Sequence, residues 1–123
     1  SLRSALAWEP NAIGHGVWAA SDPRLIDALA KADIPLEICP SSNQLLNASG
    51  MRVLTGLIGG EHPLSVLSRC GVPCSIGSDD PSVLGTTLGE DRAFASSLGL
   101  DLEAFDAVAD RRWKKLPKPS WLV

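Results

Sequence analysis

The sequence is poor in several residues and patterns that mark common classes of protein. It has three cysteines and no tyrosine among 123 residues. An odd and low cysteine count argues against a disulfide framework and fits a reducing compartment. No apolar run approaches the roughly 18–20 residues of a membrane-spanning helix, and no basic-then-apolar signal peptide opens the chain. We therefore expect a cytoplasmic protein with no membrane partner.

Basic residues are scarce outside one segment. Residues 1–110 hold six of the 11 basic residues and all 14 acidic ones, a formal charge of −8, whereas residues 111–123 hold five basic residues and no acidic one. The acidic part offers no basic face that could displace counterions from a phosphate backbone, so we expect no nucleic-acid partner. The basic segment is interpreted as a solvated end, with a nucleic-acid-binding arm as the alternative.

A helix followed by a strand recurs along the chain. With 45% hydrophobic and 20% charged residues, the composition is that of one packed domain. Ser21-Asp22-Pro23 predicts a helix over residues 23–32, and an apolar strand follows at residues 34–39. The same order returns with a helix over residues 63–70 and a strand at residues 72–76.

An earlier half-unit precedes these two, with a helix over residues 1–7 and a strand at residues 12–14. Strands joined by helical crossovers run parallel. The fold class is therefore α/β, either a doubly wound open sheet or an eight-fold barrel. Residues 40–60 are expected to form a long polar loop, and helices are predicted near residues 90–98 and 101–113.

Two features of chemical interest follow predicted strands. His15 lies between two glycines after the first strand, and Asp79-Asp80 follows the third. Adjacent carboxylates repel each other unless a cation or hydrogen-bond donors receive them. Two interpretations stay open: a shared site at the carboxyl ends of the strands, or a structural histidine with Asp80 as the N-cap of a helix that begins at Pro81.

Other candidate residues have simpler explanations. Cys70, on the apolar side of a helix, and Cys74, within a strand, are expected to be buried thiols rather than a zinc knuckle. His62 precedes Pro63 and is expected to cap a helix or lie at the surface. The sequence contains neither the G-x-G-x-x-G phosphate loop nor the G-x-S-x-G elbow of serine hydrolases.

Several segments together resemble the adenosine deaminase family in order and spacing, over roughly residues 5–105. The matching segments are residues 12–17 (AIGHGV), 34–43 (IPLEICPSSN), 62–64 (HPL), 72–81 (VPCSIGSDDP) and 84–88 (LGTTL). The resemblance implies the C-terminal portion of a (β/α)8 barrel, about three parallel β/α units plus C-terminal helices. It also implies a zinc-dependent hydrolase that converts the 6-amino group of a purine nucleoside or base to a 6-oxo group and ammonia.

Site residues follow from the same resemblance. Asp79 is similar to the family's carboxylate ligand of zinc, Asp80 to the aspartate that hydrogen-bonds the purine, and His15 to the histidine that orients the attacking water. The family's three zinc-binding histidines and its proton-shuttling glutamate have no counterpart in this sequence. A barrel typically needs about 250 residues, so we expect a chain that is inactive until the missing N-terminal half is supplied. The alternative is a non-catalytic barrel remnant, or self-associating module, that has lost the metal.

The sequence departs from the family at two places. Gly77 stands where the family usually has asparagine. The family pattern is expected to fade after Ala107, so that residues 1–123 form one partial barrel domain in which residues 108–123 are an atypical basic tail. Residues 85–88 resemble the adenosine-type or aminofutalosine-type enzymes more than the adenine-specific ones.

Overall fold

A computed structural model of the protein describes residues 1–118 and 120–121. Within them, three short strands form one parallel sheet in the order β1-β2-β3. These strands are β1 (Ile13–Gly14), β2 (Leu36–Ile38) and β3 (Cys74–Ile76). Leu36 of the central strand pairs with Ile13 on one side and with Cys74 on the other. The predicted α/β class and the parallel pairing are both confirmed.

The described residues also form eight α-helices. They are α1 (Leu2–Leu6), α2 (Pro23–Ala32), α3 (Pro40–Leu46), α4 (Ala48–Leu57), α5 (Pro63–Arg69), α6 (Pro81–Leu84), α7 (Leu88–Ser97) and α8 (Leu102–Lys115), with a 3₁₀ helix at Val17–Ser21. The helices predicted at residues 1–7, 23–32, 63–70, 90–98 and 101–113 are confirmed to within about two residues.

Helix starts follow from capping chemistry. Asp22 accepts hydrogen bonds from the backbone N–H groups of Arg24 and Leu25, and Pro23 occupies the first helical position of α2. Thr87 and Glu90 form a reciprocal capping box at the start of α7. These short signals lie within four residues of each boundary, which is why the sequence alone locates these helices.

Prolines set where the strands begin to pair. The carbonyl of Pro35 accepts from the Ile13 N–H at 2.9 Å, and the carbonyl of Pro73 accepts from the Leu36 N–H at 2.9 Å. Proline itself has no N–H to donate to a further neighbour. The strands are therefore shorter than the predicted residues 34–39 and 72–76, and each begins one residue after its proline.

The core lies between the sheet and the helices that connect its strands. Leu36 and Ile38 of β2 are fully buried, as are Leu29 of α2 and Leu64 and Leu67 of α5. Burying such side chains stabilises the fold by about 1.5–3 kcal/mol each relative to exposing them. The crossover helices and one face of the sheet thus form the hydrophobic layer that positions the strand ends.

The other face of the sheet meets α8. Side chains alternate along a strand, so Glu37 and Ser75, which are paired in register, point away from the core leucines. Arg112 of α8 forms an ion pair with Glu37, and Arg111 pairs with Asp33 at 3.2 Å. Two arginines of the basic segment therefore face acidic groups of the same chain. Pro119, Leu122 and Val123 of the predicted tail lie outside the described residues.

The predicted polar loop at residues 40–60 is wrong, because this segment forms α3 and α4. Asn47 separates the two helices, and its side chain accepts a hydrogen bond from the Gly50 N–H. Met51 and Leu54, one helical turn apart, are buried in the core. The glycines and serines suggested a loop, but burial of these two side chains outweighs the weak helix propensity of their neighbours.

The prediction that Cys70 is buried is also wrong. Cys70 lies just beyond the last residue of α5 and is exposed, because the helix ends before its apolar side reaches that position. Cys74 is buried in β3 as predicted, and burial raises the pKa of its thiol to about 12.

None of the helices within residues 1–118 and 120–121 combines the length and the hydrophobicity that a membrane-spanning segment needs.

Candidate active site at the strand ends

The ends of the two outer strands bring His15 and Asp79 together. His15 follows β1 directly, and Asp79 comes three residues after Ile76, the last residue of β3. Parallel strands place their carboxyl ends at one edge of the sheet. His15 Nε2 and Asp79 Oδ2 are 3.8 Å apart, and the two side chains are 46% and 36% exposed. A histidine and a carboxylate thus share one rim that is open to solvent.

Both residues adopt a backbone conformation that is rare outside glycine. The φ angle is 62° at His15 and 57° at Asp79. Left-handed backbone costs an ordinary L-residue roughly 1–2 kcal/mol, although aspartate and histidine adopt it more readily than most. Strain of this kind concentrates at functional sites, but it is not diagnostic by itself. Asp33, for example, has a φ of 52° simply because it ends α2.

Two residues of α3 hold the pair in place. The Ser42 hydroxyl, in a residue only 1% exposed, donates to Asp79 Oδ2 at 2.6 Å. Asn43 Oδ1 lies 3.1 Å from His15 Nδ1. An amide oxygen only accepts, so this contact is a hydrogen bond only in the tautomer that carries its hydrogen on Nδ1, with Nε2 toward Asp79. Ser42 and Asn43 were not among the predicted site residues, although their position within five residues of the end of β2 is a signal that could have found them.

Asp80 turns to the start of α6. Its Oδ1 accepts from the Val83 N–H at 3.3 Å and from the Ser82 hydroxyl at 2.8 Å. Pro81 occupies the first helical position after it. Of the two interpretations left open by the sequence, the helix cap is therefore present. A role for Asp80 toward a substrate stays a prediction.

A catalytic zinc site needs three protein ligands and a water. Asp79 fits one of these positions, because it offers a partly exposed carboxylate that Ser42 holds in a fixed orientation. Across residues 1–118 and 120–121, however, no three histidine, cysteine or carboxylate side chains are grouped so that they could hold a metal ion. The donor set of the described residues therefore fits one edge of a zinc site and does not complete it.

A cavity of about 370 Å³ opens along α3. It is lined mainly by residues of α3 and by side chains that precede or belong to α5 and α7, namely Pro40, Ser41, Gln44, Leu45, His62, Thr86 and Phe94. The His62 and Phe94 rings meet edge to face at 5.0 Å. His62 Nδ1 accepts from the Leu64 N–H, which confirms the predicted cap, and burial lowers the pKa of the imidazole.

Gly77 lies where a larger residue would collide with Glu37 and Cys39. A Cβ atom at this position would come within 2.9 Å of Glu37 Oε1 and 3.1 Å of Cys39 Sγ. The Glu37 side chain, which pairs with Arg112, thus fills the space that a side chain at position 77 would need. Cys39 is no reactive thiol, because burial, reinforced by the charges of Glu37 and Asp79, raises its pKa to about 11.

The described residues form a parallel α/β sheet with a histidine and a carboxylate at one rim, and comparison with known sequences identifies the family. The sequence profile of the adenosine deaminase family matches residues 4–115. The chain therefore belongs to the adenosine deaminase family. The match continues past Ala107 to the end of α8, so the expectation that the family pattern fades after Ala107 is wrong.

Individual relatives show the same assignment. The chain is 47% identical over 90 residues to an aminodeoxyfutalosine deaminase of Streptomyces coelicolor, covering 72% of this chain and 21% of that protein. It is 38% identical over 102 residues to the aminodeoxyfutalosine deaminase of Acidothermus cellulolyticus, covering 82% and 27%. It is 40% identical over 88 residues to adenosine deaminase 2-A of Danio rerio, covering 71% and 16%. The chain thus spans only a small part of these relatives.

Proposed function

We propose that this chain is the C-terminal part of a zinc-dependent deaminase that hydrolyses the 6-amino group of adenosine or a related 6-aminopurine to the 6-oxo product and ammonia. The observation that carries the proposal is the 3.8 Å approach of His15 and Asp79 at one rim of a parallel sheet, in a chain of this family. The three strands would be the last three of a (β/α)8 barrel, and the ligand a purine nucleoside or base in the cytoplasm.

The proposed roles come from the family resemblance, and the geometry of the rim supports them. Asp79 would be one zinc ligand, oriented by the Ser42 hydroxyl. Zinc, when bound, supplies a water whose pKa is lowered to about 7. His15 would orient the attacking water through Nε2, because Asn43 engages Nδ1. Asp80, at the start of α6, would accept a hydrogen bond from the purine while its Oδ1 caps the helix.

The other zinc ligands and the group that protonates the purine ring would come from the part of the enzyme that this chain does not span. The coverage of 21% and 27% of the two aminodeoxyfutalosine deaminases supports this view. We therefore infer that the chain is inactive alone. The relatives' names differ in substrate, and the adenosine and aminodeoxyfutalosine types are the two that we favour for this chain.

A second candidate is a non-catalytic module that associates with itself. The observation in its favour is the open sheet: in the described residues, β1 and β3 each have a strand neighbour on one side only. Unpaired strand edges template association. Leu46 and Leu57, at 71% and 67% exposed, add apolar surface. Metal analysis of the chain alone tests this alternative. Tight stoichiometric zinc would contradict both the incomplete ligand set and a module that has lost the metal.

Complementation tests the enzymatic proposal. The part of the Streptomyces coelicolor relative that this chain does not span is produced as a separate chain and mixed with this one, and ammonia release is measured with adenosine and with aminodeoxyfutalosine. We expect activity that Asp79→Asn lowers by more than the roughly 100-fold typical of losing an outer-shell partner. Asp33→Asn is the matched control, because it is also a left-handed aspartate but lies at the end of α2. Activity that survives Asp79→Asn would contradict the role given to Asp79.

A further inference from the structure

Three consecutive residues of α3 make three separate long-range hydrogen bonds. The Ser41 N–H donates to Asp91 Oδ1 of α7 at 2.7 Å. Ser42 and Asn43, the next two residues, bond to Asp79 and His15 as described above. The position of this short segment therefore determines where both rim residues are held.

Asp91 is unusual among the acidic residues of the chain. It is 0% exposed, and among the described residues no basic side chain forms an ion pair with it. Burying a carboxylate is costly unless hydrogen bonds compensate. Its Oδ1 has the Ser41 N–H as a partner, while its Oδ2 is buried without one in the described structure. Burying the Asp91 carboxylate therefore costs free energy, and the packing of the hydrophobic core does not require a carboxylate at this position.

The bond from Ser41 to Asp91 replaces a missing helix cap. In most helices the N-cap side chain accepts from the N–H of the second or third helical residue. Cys39 is the N-cap of α3 and makes no such bond, whereas Ser41, the second helical residue, donates to Asp91. The cap of α3 is therefore supplied by a residue 50 positions further along the chain. A cap from a second helix fixes both the start of α3 and its placement against α7.

We propose that Asp91 is a positioning residue for the His15–Asp79 pair. By capping α3 from α7, it sets the helix so that the Ser42 hydroxyl reaches Asp79 and the Asn43 amide oxygen reaches His15 Nδ1. The catalytic significance of this device rests on the proposed function. The positioning itself is a property of this chain and can be measured without any activity.

The test reads the tautomer of the His15 ring by ¹⁵N NMR of the full chain at about pH 8, above the ordinary histidine pKa of about 6.5. His62→Asn assigns the two histidine signals, because asparagine preserves the helix cap. In the wild type we expect Nδ1 to carry the hydrogen. Asp91→Ala should make the Nε2–H form, which a free imidazole prefers, the major species. Asp91→Asn keeps an acceptor oxygen for Ser41 and should preserve the wild-type tautomer.

A matched control separates positioning from general loss of stability. Asp101→Ala removes the side-chain cap of α8, which accepts from the N–H groups of Glu103 and Ala104 and takes no part in the hydrogen bonds of α3 with the rim. It should lower the unfolding midpoint and leave the His15 tautomer unchanged. An unchanged tautomer in a folded Asp91→Ala variant would overturn the proposal. An equal change of the His15 tautomer in Asp101→Ala would also overturn it. If Asp91→Ala does not fold, a His15 tautomer in Asp91→Asn that differs from the wild type would overturn it.

The outcomes keep this inference distinct from the proposed function. If Asp91→Ala changes the tautomer but complementation gives no deaminase activity, the positioning stands and the proposed function fails. If the complemented enzyme is active and Asp91→Ala leaves both the tautomer and the activity at wild-type values, the function stands and the positioning fails.

Discussion

The hydrophobic layer and the strand-end rim are held together in different ways. In the hydrophobic layer, Leu36, Leu64 and Leu67 are completely buried, and each packs within one continuous cluster. At the rim, His15 and Asp79 are more than a third exposed, adopt left-handed backbone, and are each held by one side chain of α3. Many weak contacts maintain the first region, and a few directional ones maintain the second.

This difference indicates that stability and site geometry can be changed separately. Apolar packing is non-directional and redundant, so the core determines whether the chain folds. Hydrogen bonds between specific atoms determine where two polar groups sit, and each contributes only about 0.5–1.5 kcal/mol net. Substitutions in the core should therefore change stability strongly, whereas substitutions at the rim should change it little.

The largest effect is expected in the core. Leu67→Ala should lower the free energy of unfolding by about 2–5 kcal/mol, because it removes transfer free energy and leaves a cavity in a fully buried cluster. Urea denaturation followed by circular dichroism measures the change. Leu57→Ala is the matched control: this leucine is 67% exposed on α4, so its replacement should cost less than about 0.5 kcal/mol. Equal losses at the two positions would contradict the packing described for α5.

A smaller effect is expected at the rim. His15→Gly should change the free energy of unfolding by less than about 1 kcal/mol, because relief of the left-handed strain at a φ of 62° is offset by the larger conformational entropy of glycine in the unfolded chain. The lost contact with Asn43 is solvent-exposed and adds little. The same variant should abolish activity in the complemented deaminase. A loss of stability as large as that of Leu67→Ala would show that the histidine holds the rim together rather than being held by it.

Sequence reasoning located the elements whose signals are local. The helix starts at Pro23 and Pro63 were predictable because a capping side chain and a proline stand next to each other in the sequence. The same signal made a helix start at Pro81 one of the two interpretations left open. The predicted loop at residues 40–60 failed for the complementary reason. Its helices depend on burial of Met51 and Leu54 against the rest of the fold, which periodicity within a serine- and glycine-containing segment does not reveal.

The candidate site shows the same division. His15 and Asp79 could be placed at one rim because parallel strands align their carboxyl ends, and the structure puts them 3.8 Å apart. Ser42 and Asp79 are 37 residues apart in the sequence, and His15 and Asn43 are 28 apart. The bond from the Ser41 N–H to Asp91 spans 50 residues. No sequence pattern encodes such pairings, because they arise only when separate helices pack together.

The smallest expected effect is at His62, the N-cap of α5, whose side chain is partly buried and does not contact the rim pair. Burial lowers the pKa of this imidazole in the folded chain, so the unfolded chain binds the proton more readily. The contribution of His62 is complete above the ordinary pKa of about 6.5 and declines as the pH falls below it toward the folded value. The protonated ring also cannot accept from the Leu64 N–H, so the cap of α5 is lost together with the burial of a neutral ring.

The wild-type urea midpoint should therefore decrease as the pH is lowered from about 8 to about 5.5. His62→Asn, which keeps a capping acceptor but does not titrate, should fall less over the same range. His15 is present in both chains, so the difference between them reports on His62. Identical pH slopes would mean that protonating His62 costs the fold nothing, and that its ring belongs with the exposed rim rather than with the packed layer beneath it.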